Sequence, residues 1–190
     1  MDGEFEKIKD KLLNWIVVNT TAKNEHVGEI ERKIRHTKDT CRSITADMKF
    51  SVLPNAIIKA LVLNAVMFNN AFPDKQGISQ EFSPREIVLR WQLSVEKHMR
   101  AQFGSFCVAY DEPSPNETNR NVSRGRDAIC LGPTGNMQGT YKFLCLKTKR
   151  VIKRRKFKEF PMPDSVIKKV NQWGAQDKQG GRLRFCNRNN

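Results

Sequence analysis

The sequence predicts an α/β first part followed by a small β-barrel, and three observations carry that reading. Ile30, Ile34, Thr37, Cys41 and Ile44 recur at steps of four, three, four and three, which is one face of an α-helix lying on a core. Residues 56–72 are apolar nearly all round, the pattern of a buried helix. Between residues 128 and 160, three short β-like runs are joined by tight turns, as in a small barrel.

Residues 1–10 are densely charged and carry no apolar run of the signal-peptide kind. Phe5, Ile8, Leu12, Leu13 and Ile16 fit a short amphipathic helix, and the β-branched residues 16–18 fit a strand. The polar residues 19–24 read as a loop before the helix near residues 26–44. Beside that helix's apolar face runs a second stripe: Glu31, Arg35, Lys38 and Arg42. One carboxylate heading three cations would suit a metal-binding acid followed by phosphate-gripping bases. An ordinary solvated helix with a Glu-to-Arg pair at i, i+4, worth about 0.2–0.5 kcal/mol, gives the same pattern.

Pro54 is placed to start the next helix, with Ile57, Leu61, Asn64, Phe68 and Ala71 on one face and Ile58, Val62, Ala65 and Phe72 on another. Pro73 stops it. Lys59, Asn64, Asn69 and Asn70 interrupt this stretch, and it falls short of the roughly 20 apolar residues of a membrane span. Ser83, Pro84 and Glu86 form a helix start with a capping box. Residues 103–110 alternate as a strand, and the polar residues 111–126 read as a linker. Residues 128–131 are a short apolar strand. In 139–148, Tyr141, Phe143 and Cys145 oppose Lys142, Leu144 and Leu146; Lys149 and Arg150 turn the chain. Residues 151–160 then alternate Val151, Lys153, Arg155 and Phe157 against Ile152, Arg154 and Lys156. Gly132-Pro133-Thr134-Gly135 lacks the Lys-Ser/Thr of a phosphate loop and reads as a connection between strands. The end of the chain, from residue 163, is expected to be a flexible basic tail.

The net charge is +14, and all of that excess lies in residues 120–190. A basic third beside a neutral remainder points to a polyanionic partner, most often nucleic acid. Eight of the twelve residues 147–158 are basic; because they sit on strands with apolar partners, a folded basic face is expected rather than a loose tail. The five cysteines contain no C-x-x-C pair, and His26, His36 and His98 have no metal spacing with them. Neither a disulfide framework nor a zinc site is expected, and the thiols are read as reduced and intracellular. The glycosylation-like triplets at Asn19, Asn116 and Asn121 are read as chance.

Several stretches together resemble the integrase section of copia-type retrotransposon polyproteins. Gly28-Glu29-Ile30-Glu31-Arg32-Lys33-Ile34-Arg35 is similar to a G-x-x-E-R-x-x-R helix. Asn69-Asn70 before Pro73 stands where that family has N-R-x-P, with Asn70 in place of the arginine. Phe82-Ser83-Pro84-Arg85-Glu86 resembles its T-P-x-E box, and Phe103-Gly104 with Val108-Ala109-Tyr110 its F-G-x-x-x-x-V segment. Ala128-Ile129-Cys130-Leu131-Gly132 and Gly139-Thr140-Tyr141-Lys142-Phe143 resemble its F-L-G and K-G-Y strands. These motifs keep the family's order over residues 1–170.

The resemblance implies the C-terminal part of an RNase H-like catalytic core at 1–110, a linker at 111–126, an SH3-like basic β-barrel at 127–162 and the tail. It implies DNA integration by metal-dependent polynucleotidyl transfer in the intact parent. Glu31 matches the catalytic Glu, and Asp2 stands as the second Asp, closer to Glu31 than is usual. Both would be catalytic and ligands for Mg²⁺ or Mn²⁺. The first catalytic Asp has no counterpart, and its strand would precede Met1. Strand transfer uses two metals about 3.5–4 Å apart, so the chain alone is expected to be inactive. DNA phosphates would be held by Lys147, Lys149, Arg150, Lys153, Arg154, Arg155, Lys156 and Lys158, and by Arg35, Lys38 and Arg42. The expected partners are DNA and further copies of the chain, without membrane, in the nucleus or cytoplasm and not secreted. The alternatives are a non-enzymatic basic interaction module, a nuclear-import segment at 149–156, or a decayed element without activity.

Overall fold

The computed structural model describes residues 28–75, 77–111 and 124–178. Several of the sequence expectations fall outside these residues: Asp2, the helix and strand expected before residue 24, most of the linker, the three glycosylation-like triplets and the end of the tail. The chain divides into two compact units, 1–39 and 40–190. Among the described residues the structure is a mixture of helices and one antiparallel sheet of five strands. None of the helices is long and apolar enough to cross a membrane.

Helix α1 spans Gly28–Ala46. Glu29 and Glu31 stand in its first turn, where carboxylates complement the helix dipole. The apolar face expected to lie on a core does so only at its end. Cys41 is fully buried and Ile44 packs against the main core, but Ile30 and Ile34 are 55% and 49% exposed.

Helix α2 is Asn55–Asn69, one residue later than expected at its start, with Pro54 as its cap. Proline fixes the chain direction there but offers no side-chain acceptor. The Asn55 N–H is instead taken by Asp177 Oδ2 at 2.9 Å. Helix α2 buries Ile57, Leu61, Asn64 and Ala65. It is not buried all round, as the sequence suggested: Leu63 is 62% exposed. Helix α3, Pro84–Leu89, begins with the expected capping box between Ser83 and Glu86. Helix α4, Val95–His98, is a single turn whose buried His98 reaches the carbonyl of Asn136 at 2.7 Å.

The strands are β1 (Phe106–Tyr110), β2 (Gly125–Pro133), β3 (Tyr141–Cys145), β4 (Val151–Arg154) and β5 (Phe157–Phe160), ordered β4-β3-β2-β1-β5. β1 to β4 form a meander and β5 returns to pair with β1. The last two strands therefore lie at opposite ends of the ladder, yet only Arg155 and Lys156 join them. Two residues bridge roughly 10 Å, whereas four ladder steps measure about 19 Å. The sheet must curl to bring its ends together, although its hydrogen-bonded ladder remains open there.

The curl separates two cores. The outer face carries Phe106, Ile129, Leu131, Leu144 and Leu146, packed with Leu53, Ile57, Leu61, Val166 and Val170. The inner face carries Cys107, Ala109, Ala128, Cys130, Tyr141 and Phe143, with Ile152 and Phe157 against them. Small residues on β1 and β2 face rings on β3 and β5, which fills the narrow interior. The Phe157 ring lies 4.8 Å from that of Tyr141 and 5.1 Å from that of Phe143.

Three features differ from the sequence reading. Residues 151–160 are two strands, and the corner at Arg155-Lys156 breaks their alternation. Phe157 therefore turns to the inner core, on the other face from Val151 and Lys153. The division expected at 111–126 falls between β1 and β2, which pair along the whole of Phe106–Tyr110, so one sheet spans it. Residues expected to begin a flexible tail form helix α5, Asp164–Gln176, which buries Val166, Val170 and Gly174. Asn171 Oδ1 accepts from the Ser51 and Val52 N–H groups at 3.0 and 3.1 Å, locking α5 to the segment before α2.

Candidate nucleic-acid interface

The basic residues expected to meet phosphate fall into two groups once the strands are in place. Some are occupied inside the fold. Arg154, at the end of β4, donates from Nη2 to Asp111 Oδ1 at 2.5 Å, and Arg126 on β2 donates to Asp111 Oδ2 at 2.7 Å. Asp111 follows β1, so this carboxylate ties three strands together where the sheet curls. Burial pushes the Asp111 carboxyl up, but the hydrogen bonds and charges of Arg154 and Arg126 outweigh it and hold it below the usual carboxylate range. Lys149 pairs with Asp177 at 3.3 Å and lies over the Trp173 ring. It adopts φ 54° in the β3–β4 turn, where its N–H donates to the Cys145 carbonyl.

The remainder face outward. Lys147, Arg150, Lys153, Arg155, Lys156 and Lys158 are exposed, and none pairs with a carboxylate of the described residues. The sheet register adds one that sequence reasoning missed. Lys142 on β3 stands directly opposite Lys153 on β4, both on the outer face. Like charges in directly opposed positions cost about 0.2–1 kcal/mol, and a phosphate set between them would relieve that repulsion. Only half of this was in the sequence. Alternation put Lys142 on the face away from Tyr141, but a turn at Lys149-Arg150 would have set it opposite Phe157. The chain turns instead at residues 146–149, which brings Leu144 opposite Val151 and Lys142 opposite Lys153. The Asp111 clamp left no such trace, because its partners lie 15 and 43 residues away.

Arg100 had not been singled out. Its Nη2 donates to the carbonyls of Arg155 at 2.9 Å and Gly139 at 3.3 Å, and its guanidinium lies over the Phe157 ring at 4.6 Å. It fixes the β4–β5 corner and so aims Arg155 and Lys156 outward.

Of the residues placed on α1, Glu31, Arg35 and Arg42 are exposed and Lys38 is half-buried. Asp2 lies outside the described residues. Among the described residues no three His, Cys, Asp or Glu side chains gather as a metal site. Glu31 by itself supplies fewer oxygens than a hard divalent cation takes, so the described residues do not fit the two-metal centre. Cys41, Cys107, Cys130 and Cys145 are free thiols.

No known protein family matches the chain, and neither a curated protein nor a solved structure matches it.

Proposed function

We propose that the chain is the C-terminal part of a copia-type retrotransposon integrase, and that its own activity is binding to the DNA phosphate backbone. The observation that carries the binding is the outward set of cations that have no carboxylate partner among the described residues, held on β-strands and the corner joining them. The strands already fix the backbone of these residues, so meeting phosphate costs side-chain freedom and not backbone freedom. Such contacts give affinity without reading sequence. A four-stranded meander followed by a strand that returns beside the first supports an SH3-like barrel, in this reading extending from β1 to β5. The order of motifs along residues 28–143 supports the integrase assignment, with α1 and α2 as the end of an RNase H-like core.

In this reading the chain binds and performs no chemistry by itself. Purified protein incubated with Mn²⁺ and end-labelled duplex is expected to leave the DNA intact. Nicking above background that disappears in Glu31→Gln would overturn this part. The competing reading, a module for acidic proteins, is separated by competition: duplex DNA is expected to displace a polyglutamate peptide. A peptide complex that excess duplex leaves intact would replace the DNA assignment.

A further inference from the structure

The outer side of the β1–β5 pair alternates rings and cations. Phe106 pairs with Phe160 and Val108 with Lys158, and the Tyr110 N–H bonds the Lys156 carbonyl at 3.0 Å. Strand alternation puts Tyr110, Lys158 and Phe160 on one face, and the Tyr110 hydrogen bond sets Lys156 opposite it at the end of the ladder. All four are exposed, the two rings each at 38%. Phe106, the partner of Phe160 in the register, is itself buried in the core with Ile129, Leu131, Leu144 and Leu146. Each ring keeps an exposed face on the sheet surface beside a lysine. Among the described residues, Asp127 is the one carboxylate on this stretch of the face, beyond Val108 in the register.

We infer that this strip, Tyr110, Lys156, Lys158 and Phe160, binds single-stranded nucleic acid by stacking bases on its two rings. The inference rests on the nucleic-acid reading above and adds a second mode to it. Tyr110 and Phe160 stand four residues apart along the ladder, about 13 Å. That leaves a base at each ring with phosphate between them, within reach of Lys156 and Lys158. Lys158 already lies over the Phe160 ring at 5.4 Å, so cation and ring can address one nucleotide together. Stacking requires bases freed from pairing; a duplex buries its base faces and offers this strip only phosphates. Every base has a stacking face, so the mode tolerates sequence.

The test is fluorescence anisotropy of the full chain with a labelled 12-nucleotide thymidine oligomer and a 12-base-pair duplex. Tyr110→Ala and Phe160→Ala are each expected to weaken the single strand about tenfold and the duplex less than twofold. Tyr110→Trp is expected to restore single-strand binding, which a merely structural role would not predict. Equal losses on both substrates, or no loss on the single strand, would overturn the inference while leaving duplex binding in place. Absence of binding to either substrate by the unaltered chain would overturn the nucleic-acid reading itself. Circular dichroism melting of each variant separates lost binding from lost fold.

Discussion

Gly132 is where helix α2 meets the sheet. It adopts φ +83°, and a Cβ there would fall within the contact distance of Asn64 Oδ1. Gly132→Ala therefore combines a left-handed alanine with overpacking, and a loss of about 1–3 kcal/mol is expected from urea denaturation; an unchanged midpoint would contradict the α2–β2 packing. Asp111 gives a pH signature. Its folded pKa is depressed by Arg154 and Arg126, so its contribution is complete above the unfolded carboxylate value, about 3.9. It is lost as pH falls through the lower folded value. In thermal melts across acid pH, Asp111→Asn is expected to remove that component of the slope. Lys153 should show a conflict between stability and binding. Lys153→Glu places a carboxylate opposite Lys142, raising stability by about 0.5–1 kcal/mol at low salt, while weakening DNA binding. A variant that binds DNA as well as the parent would remove Lys153 from the interface.

At the scale of the element, α5 matters more than its polar sequence suggests. Val166 and Val170 join the core that holds Leu144 and Leu146. Asp177, just beyond the helix, accepts from the Asn55 N–H at the start of α2 and from Lys149 in the β3–β4 turn. Ending the chain at Pro163 would uncover that core and remove Asp177, the acceptor of the Asn55 N–H. Such a truncation is expected to lose the cooperative unfolding of the full chain; equal melting of the two would contradict the role given to α5. This helix was legible in Val166, Ile167, Val170 and Trp173, which recur at helical spacing, but the lysines between them read as tail composition. Helix α3 was legible because its signal is local: Ser83 and Glu86 specify the start without help from the rest of the chain. The split of residues 151–160 was not legible. Alternation continues through Arg155-Lys156 in the sequence, and only the return of β5 to β1 across the curled sheet forces the break.

Across the whole molecule, sequence reasoning placed the strand-rich basic region and its two alternating faces, since alternation and turn residues are local properties. It missed that β1 belongs to the same sheet, because that pairing spans residues 111–124. It also could not sort the cations. Arg154 and Lys149 are as basic in sequence as Lys153 and Lys158, but carboxylates distant in sequence occupy them in the fold. What faces outward is a smaller set with Lys142 added, and that set carries the proposed binding. The most direct measurement is duplex affinity as a function of salt. If Lys142, Lys147, Arg150, Lys153, Arg155 and Lys156 neutralise six phosphates, log K should fall against log[salt] with a slope near −5. Replacing Lys142 and Lys153 by Gln should make the slope shallower by about 2. A flat salt dependence, or a slope unchanged in the double variant, would contradict the account.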